Sequence, residues 1–332
     1  MDPLSQGVLG AVGATQTRQK AHMIVATVLG FLSGMAPDLD IFIRSSSDPL
    51  IALEYHRQFT HSLIFIPVGG FLCAIFFYRL FARKKLSFKH TYLYCTLGLA
   101  THCLLDACTT YGTMLLWPFS DIRVAWSTVS IIDPLFTLPL LLCVALNLRL
   151  KQTWVTHVAL FWALGYLSFG FIQRERAEAA GWQLAKQRGL EVINLETMPS
   201  FANLLMWKLI ITTDTAYYVD AVNVRGVNAV IIEGESVNKL DIGRDLPWLD
   251  MNSQKAKDIE RFRWFSKGYL AISSTQDNTV ADIRYSILPH EINALWGIRL
   301  DPQASIDQHV DYIKSSERSP EAFKKLWNMI KR

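Results

Sequence analysis

The chain has 332 residues, 51% of them hydrophobic and only 19% charged, against about 25% charged in an ordinary soluble domain. The formal net charge of +4 is small, and the basic residues flank apolar segments instead of forming one patch, which argues against a nucleic-acid partner. The five cysteines all lie in apolar stretches without CxxC spacing, which argues against a disulfide framework and a thiolate zinc site.

Charges are sparse from Gly7 to Phe171 and recur every few residues from Arg174 onward. That shift predicts a transmembrane domain over 1–173 and a soluble α+β domain over 174–332. The opening MDPLSQG has no basic n-region and does not read as a cleavable signal peptide. Two short apolar runs, Pro3–Ala14 and Ala21–Ala36, flank Thr17–Lys20. At 1.5 Å per residue each reaches about 20–24 Å, and together they read as a helical hairpin turning at Arg18–Lys20. Four further stretches, Ser62–Phe81, Thr91–Trp117, Ile131–Leu148 and Trp154–Phe171, meet or approach the roughly 20 apolar residues that span a bilayer.

The expected fold is therefore a membrane all-α helical bundle of about six segments, the first two short, followed by a soluble α+β domain. Lys and Arg cluster at Arg18–Lys20, at Arg83–Lys89 and at Arg149–Lys151. Six crossings put all three clusters on one face, which the positive-inside rule assigns to the cytoplasm. A multi-pass protein of the cytoplasmic (inner) membrane, with its C-terminal domain outside, is the expectation.

The residues that carry chemistry lie toward the outer side. Pro37-Asp38-Leu39-Asp40 follows the second short helix, and His56-Arg57-Gln58-Phe59-Thr60-His61 opens the next span. His102 and Asp106 stand four apart, so both project from one helix face. Asp38 and Asp40 alternate across a turn, and at most one of them is expected to point with the others unless the loop bends. An Asp at the centre of a membrane helix costs about 2.5–3.5 kcal/mol, so such residues face the bundle interior and mark a site. A divalent cation neutralises the carboxylates and takes neutral imidazole as ligand. Asp38, His61, His102 and Asp106 are the predicted metal ligands, with zinc first and manganese or iron(II) also suited. Asp40 and His56 are candidates for the general base, Asp38 and Asp40 being interchangeable at this level. Arg57 is the candidate clamp for a phosphate. Asp133-Pro134 reads as a helix cap, and Cys103 and Cys108 read as packing residues.

Together with DPLSQGVLGA at the start and IIDPLFTLPL further on, these motifs resemble the YdjM-like family of membrane-bound metal-dependent hydrolases, which looks related to the zinc-dependent phospholipase C superfamily. The resemblance runs to about Leu141, with Asp282-Ile283-Arg284-Tyr285 as a weaker match beyond it. It implies that Asp38, Asp40, His56, His61, His102 and Asp106 are metal and catalytic residues. The chain departs from the pattern at Gln6, where many members carry His, and a ligand role there reads as lost. The expected function is hydrolysis of a phosphoester of a lipid or lipid-linked substrate at the outer face, with membrane lipids as partners. Two alternatives stay open: an ion- or proton-coupled transporter using the same cluster as a relay, and a non-catalytic membrane scaffold with a structural metal.

In the C-terminal part, Arg174–Arg188 reads as an amphipathic helix. Strands are expected at Lys208–Thr213, Ala216–Val224, Ala229–Glu233, Tyr269–Ser273 and Val280–Leu288, and helices at Ile259–Ser266 and Glu321–Ile330. His290 and His309 stand alone and read as surface or packing residues.

Overall fold

A computed structural model describes residues 1–17, 20–314 and 319–331. Of the predicted turn at Arg18–Lys20, Arg18 and Gln19 lie outside the described residues. The chain divides into two units, one of Met1–Phe42, Tyr55–Ile172 and Phe201–Leu204, the other of Ile43–Glu54, Gln173–Ser200 and Leu205–Arg332.

The first unit is helical. Helix α1 (Pro3–Thr15) starts where Asp2 accepts the Ser5 backbone N–H at 3.0 Å and Pro3 occupies the first turn, the two residue types best suited to those positions. Helix α2 (Met23–Met35) continues into a 3-10 turn over Ala36–Phe42. These helices meet backbone to backbone. A Cβ added at Gly10 would collide with the Gly30 carbonyl oxygen, and one added at Gly30 with that of Gly10, the close approach that small residues permit between apolar helices.

After α3 (Ile51–Tyr55), which belongs to the second unit up to Glu54, come a 3-10 turn over Phe59–His61, α4 (Phe65–Leu80) and α5 (Phe88–Ala107). Helix α6 (Pro134–Leu150) is capped by Asp133, which accepts the Leu135 and Phe136 N–H groups at 3.1 and 3.3 Å. The Tyr166 hydroxyl also donates to Asp133, at 2.8 Å. Helix α7 covers Thr153–Gln187, its residues from Gln173 onward belonging to the second unit. Val8, Val12, Leu105, Phe136 and Leu140 form one core of this unit, while Leu72, Phe76, Leu138, Leu142 and Phe161 face outward.

Six membrane segments are not what this architecture supports. Among the described residues, two helical stretches are long and apolar enough to cross a bilayer, Lys20–Phe42 with 23 residues and Thr153–Gln187 with 35. A third span arises only if Ile51–His61 and Phe65–Leu80, bent by 86° at their junction, act as one. Helices α1, of 13 residues, and α6, of 17, fall short of the roughly 20 needed. Helix α5 has 20 residues, but Lys89, His90, His102 and Asp106 dilute its apolar character.

The second unit holds two antiparallel sheets. The first is a meander of β1 (Asn194–Pro199), β2 (Met206–Thr212), β3 (Ala216–Asn223) and β4 (Val230–Asn238). After α8 (Ile242–Asp245) and α9 (Gln254–Phe265) comes the second, with β5 (Leu270–Ile272), β6 (Thr279–Asp282), β7 (Trp296–Arg299) and β8 (Asp311–Lys314). Helix α10 spans Pro320–Lys331. Strand β6 stops at Asp282 instead of continuing to Leu288. There the chain turns so that Arg284 can pair with the Asp282 carboxylate, Nη2 to Oδ2 at 2.6 Å. Strands β1, β7 and β8 carry Pro, Gly or charges within four to six residues and so lack a readable alternation. Lys208 on β2 is only 3% exposed, and its Nζ donates to Ser286 Oγ and to the Glu291 carbonyl, each at 2.8 Å. Burial pushes its pKa down to about 7.

Candidate metal centre

Three elements converge in the first unit. Asp38 and Asp40 come from the 3-10 turn after α2, His61 from the 3-10 turn before α4, and His102 with Asp106 from the last two turns of α5. His61, His102 and Asp106 are fully buried, and Asp40 is 3% exposed. One donor atom from each of Asp38, His61, His102 and Asp106 lies within 4.8 Å of all the others.

The separations are specific. His61 Nε2 lies 2.9 Å from His102 Nε2, 3.5 Å from Asp38 Oδ1 and 3.3 Å from Asp106 Oδ2. His102 Nε2 lies 3.6 Å from Asp38 Oδ1 and 3.7 Å from Asp106 Oδ2. Ligands about 2.0–2.1 Å from a tetrahedral ion stand about 3.3–3.4 Å apart. The observed distances bracket that value.

Hydrogen bonding on the far side of each ring decides which nitrogen faces inward. His102 Nδ1–H donates to the Gly34 carbonyl at 2.6 Å, so its neutral ring turns an Nε2 lone pair to the site. The Thr60 hydroxyl donates to Asp40 Oδ2 at 2.8 Å. Thr60 Oγ1 is thereby left as acceptor for His61 Nδ1–H, at 2.9 Å, and His61 also presents its Nε2 lone pair. Two imidazole lone pairs and two carboxylate oxygens therefore face one point. A divalent cation would reconcile four such donors in a buried space, and carbonyl, hydroxyl or carboxylate partners behind ligating histidines are the usual orienting shell. Asp106 Oδ2 adds to this: it is buried and lacks a well-aligned hydrogen bond, although Arg57 Nε lies 3.1 Å away. The residues fit a divalent metal. The donor set of two imidazoles and two carboxylates is common to zinc, manganese and iron(II).

Asp38 and Asp40 both reach the cluster, on opposite sides of the His61 ring. Asp38 faces Nε2, and Asp40 Oδ2 lies 3.3 Å from Nδ1. Asp40 Oδ1 accepts His56 Nδ1–H at 2.6 Å, and its Oδ2 accepts the Arg57 backbone N–H at 3.0 Å. Asp38, Asp40 and His56 form a second group of closely spaced donors that shares Asp38 with the first. Arg57 is buried at φ 63°, a strained conformation for a residue of its type. Its Nη1 donates to Thr109 Oγ1 at 3.0 Å, and its guanidinium lies over the Tyr111 ring, 5.0 Å from the centroid. Cys103 and Cys108 are buried thiols, and Cys103 packs with Ala107 and Leu115.

Three participants escape a reading of the sequence. Gly34 supplies only a carbonyl, and no side chain advertises it. Thr109, three residues after Asp106, had a signal in that spacing. Gln6 is fully buried on α1 and donates from Nε2 to Asp106 Oδ1 at 2.7 Å, and the Met1 amine contacts the same oxygen. Gln6 thus sits in the centre, where the sequence had read its role as lost.

Fold and site together define a helical membrane protein with a buried His/Asp centre suited to a divalent cation. The chain belongs to the YdjM inner membrane protein family, whose model matches residues 1–177. It is 25% identical over 253 residues to the uncharacterized protein YfhP of Bacillus subtilis (strain 168), covering 75% of this chain and 72% of that one. It is 35% identical over 106 residues to the inner membrane protein YbcI of Escherichia coli (strain K12), covering 31% of this chain and 60% of that one. No solved structure matches it.

Proposed function

We propose that this chain is a membrane-embedded, metal-dependent hydrolase that cleaves a phosphoester of a lipid or lipid-linked substrate at the outer face of the membrane. The observation that carries the reading is the set of four inward-facing donors, Asp38, His61, His102 and Asp106, with both ring tautomers fixed from behind. A divalent ion held by them would supply Lewis acidity toward a phosphoryl oxygen and lower the pKa of water.

The chain's own residues supply the rest. Asp40 holds His56 Nδ1–H, so the other ring nitrogen of His56 carries the lone pair of a general base. His56 takes a proton from the attacking water, the water oxygen bonds to phosphorus, and the ester P–O bond breaks. His56 then returns the proton to the departing oxygen, while Asp40 steadies the charge on the ring. Arg57 offsets the Asp106 charge and presents a cation beside Tyr111 toward a phosphate. Asp38 is the least buried of the four donors, its side chain 20% exposed, and marks the edge where substrate enters. Outward-facing Leu, Phe and Ile on α4, α6 and α7 match a substrate that arrives from the lipid phase.

A second reading has an observation of its own. Four protein donors already complete a tetrahedral shell, as in structural zinc sites, and that favours a scaffold with a structural ion. One experiment separates the two. Detergent-purified wild type, His61→Ala and His102→Ala are assayed for metal content and for release of phosphate or head group from phospholipid micelles, with and without chelator. Stoichiometric metal and chelator-sensitive turnover in wild type alone support the hydrolase. Metal without turnover supports the scaffold, and turnover that survives chelator and both substitutions overturns the proposal.

A further inference from the structure

Three buried polar atoms of the metal centre, Gln6 Oε1, Arg57 Nε and Asp106 Oδ2, lack an aligned hydrogen-bond partner. An unpaired buried acceptor costs about 1–3 kcal/mol, and each one in a native structure asks for an explanation, an ion among them. Arg57 Nε and Asp106 Oδ2 at least face each other at 3.1 Å. Gln6 Oε1 makes no hydrogen bond, although its residue is fully buried.

Its position is constrained. Gln6 Nε2 donates to Asp106 Oδ1 at 2.7 Å, and the nitrogen and oxygen of a planar amide lie close together. Oε1 is therefore held close to Asp106, one of the four inward-facing donors. Asp106 Oδ1 is taken by the amide, so Asp106 offers the ion Oδ2 alone. The backbone carries the same message. A Cβ on Gly34 would come within 2.8 Å of the Gln6 carbonyl oxygen, so α1 is seated against the very residue that orients His102. The Gln6 backbone is thus packed against α2 beside the centre.

We propose that Gln6 Oε1 is a fifth, neutral oxygen donor of the metal centre and that it tunes the site toward an oxygen-preferring ion such as manganese(II) or iron(II). This rests on the metal-centre reading above. Two carboxylate oxygens, one amide oxygen and two imidazoles make a donor set richer in oxygen than the N/S sets of four-coordinate zinc. The expected consequence is selective: removing Oε1 weakens manganese binding more than zinc binding.

The test measures affinities for each metal alone, Mn(II) and Zn(II), by chelator competition on full-length protein in detergent. Gln6→Met keeps the volume and removes both amide atoms; Gln6→Leu serves if Gln6→Met does not fold, as judged by thermal unfolding of the metal-free form. Manganese affinity falling at least tenfold, with zinc falling less than about threefold and the Mn(II) EPR spectrum altered, is the expected result, tenfold being the lower end of what ligand-supporting residues contribute. Unchanged manganese affinity, or equal loss for both metals, overturns the proposal. Wild-type protein that binds neither metal would instead overturn the underlying site.

Discussion

Replacing Asp40 separates its possible roles more sharply than any other change. Its carboxylate accepts from His56 Nδ1 at 2.6 Å, from the Arg57 backbone at 3.0 Å and from Thr60 Oγ1 at 2.8 Å, and lies 3.3 Å from His61 Nδ1. It therefore holds two rings in register and pins Arg57 at φ 63°, a conformation that costs on the order of 1–3 kcal/mol. Hydrogen bonds to an ionised group contribute about 1.5–3 kcal/mol each, but much of that is shared among neighbours in one network. Orienting partners of metal-bound histidines contribute about 10–100-fold in affinity, or about 1.4–2.8 kcal/mol. Asp40→Ala should weaken zinc binding by that factor in chelator competition. Asp40→Asn, which keeps an acceptor for Thr60 and Arg57, should lose less. Zinc affinity within twofold of wild type in both variants, with turnover abolished, would refute the positioning role and assign Asp40 to proton transfer.

Lys208 gives a pH signature. Its folded pKa of about 7 lies below the ordinary 10.5, so between those values the unfolded chain binds a proton that the folded one does not, and stability rises with pH. From pH 7 to 8.5 the gain is about 2 kcal/mol. Hydrogen exchange of the β2 amides should show it in wild type and lose it in Lys208→Met; equal slopes would refute it. Gly30→Val should separate α1 from α2 and lower both folding yield and metal content, as read by size-exclusion chromatography and elemental analysis, whereas a fully folded, metal-replete variant would contradict the close approach. Reporter fusions after Arg332 are expected to be active outside the cytoplasm, and a cytoplasmic readout would reverse the orientation taken from the basic clusters.

Much of this protein is legible before it folds. The charge shift near Arg174 separates the helical half from the β-rich half, and the i,i+4 pair His102 and Asp106 reads directly because helix geometry alone makes those side chains neighbours. Strands β2, β3 and β5 show in runs of Val, Ile, Tyr and Leu. The number of spans does not read as well, because apolar runs buried in protein and apolar runs facing lipid have the same composition. Helices α1 and α6 look like membrane segments and are too short to be spans.

The sequence by itself determined the helical class of the first half, the β-rich character of the second and a set of residues able to bind a metal, all of which depend on composition or on neighbours a few positions apart. Tertiary structure decided what those residues do. Asp38 and Asp40 are two positions apart, yet one faces His61 Nε2 and the other Nδ1. Gln6, Gly34 and His102 meet because glycines let α1, α2 and α5 approach at backbone distance. Such contacts join residues up to 100 positions apart, and local spacing carries no information about them. They arise only when the helices pack, and with them come the ring tautomers and the oxygen left without a partner.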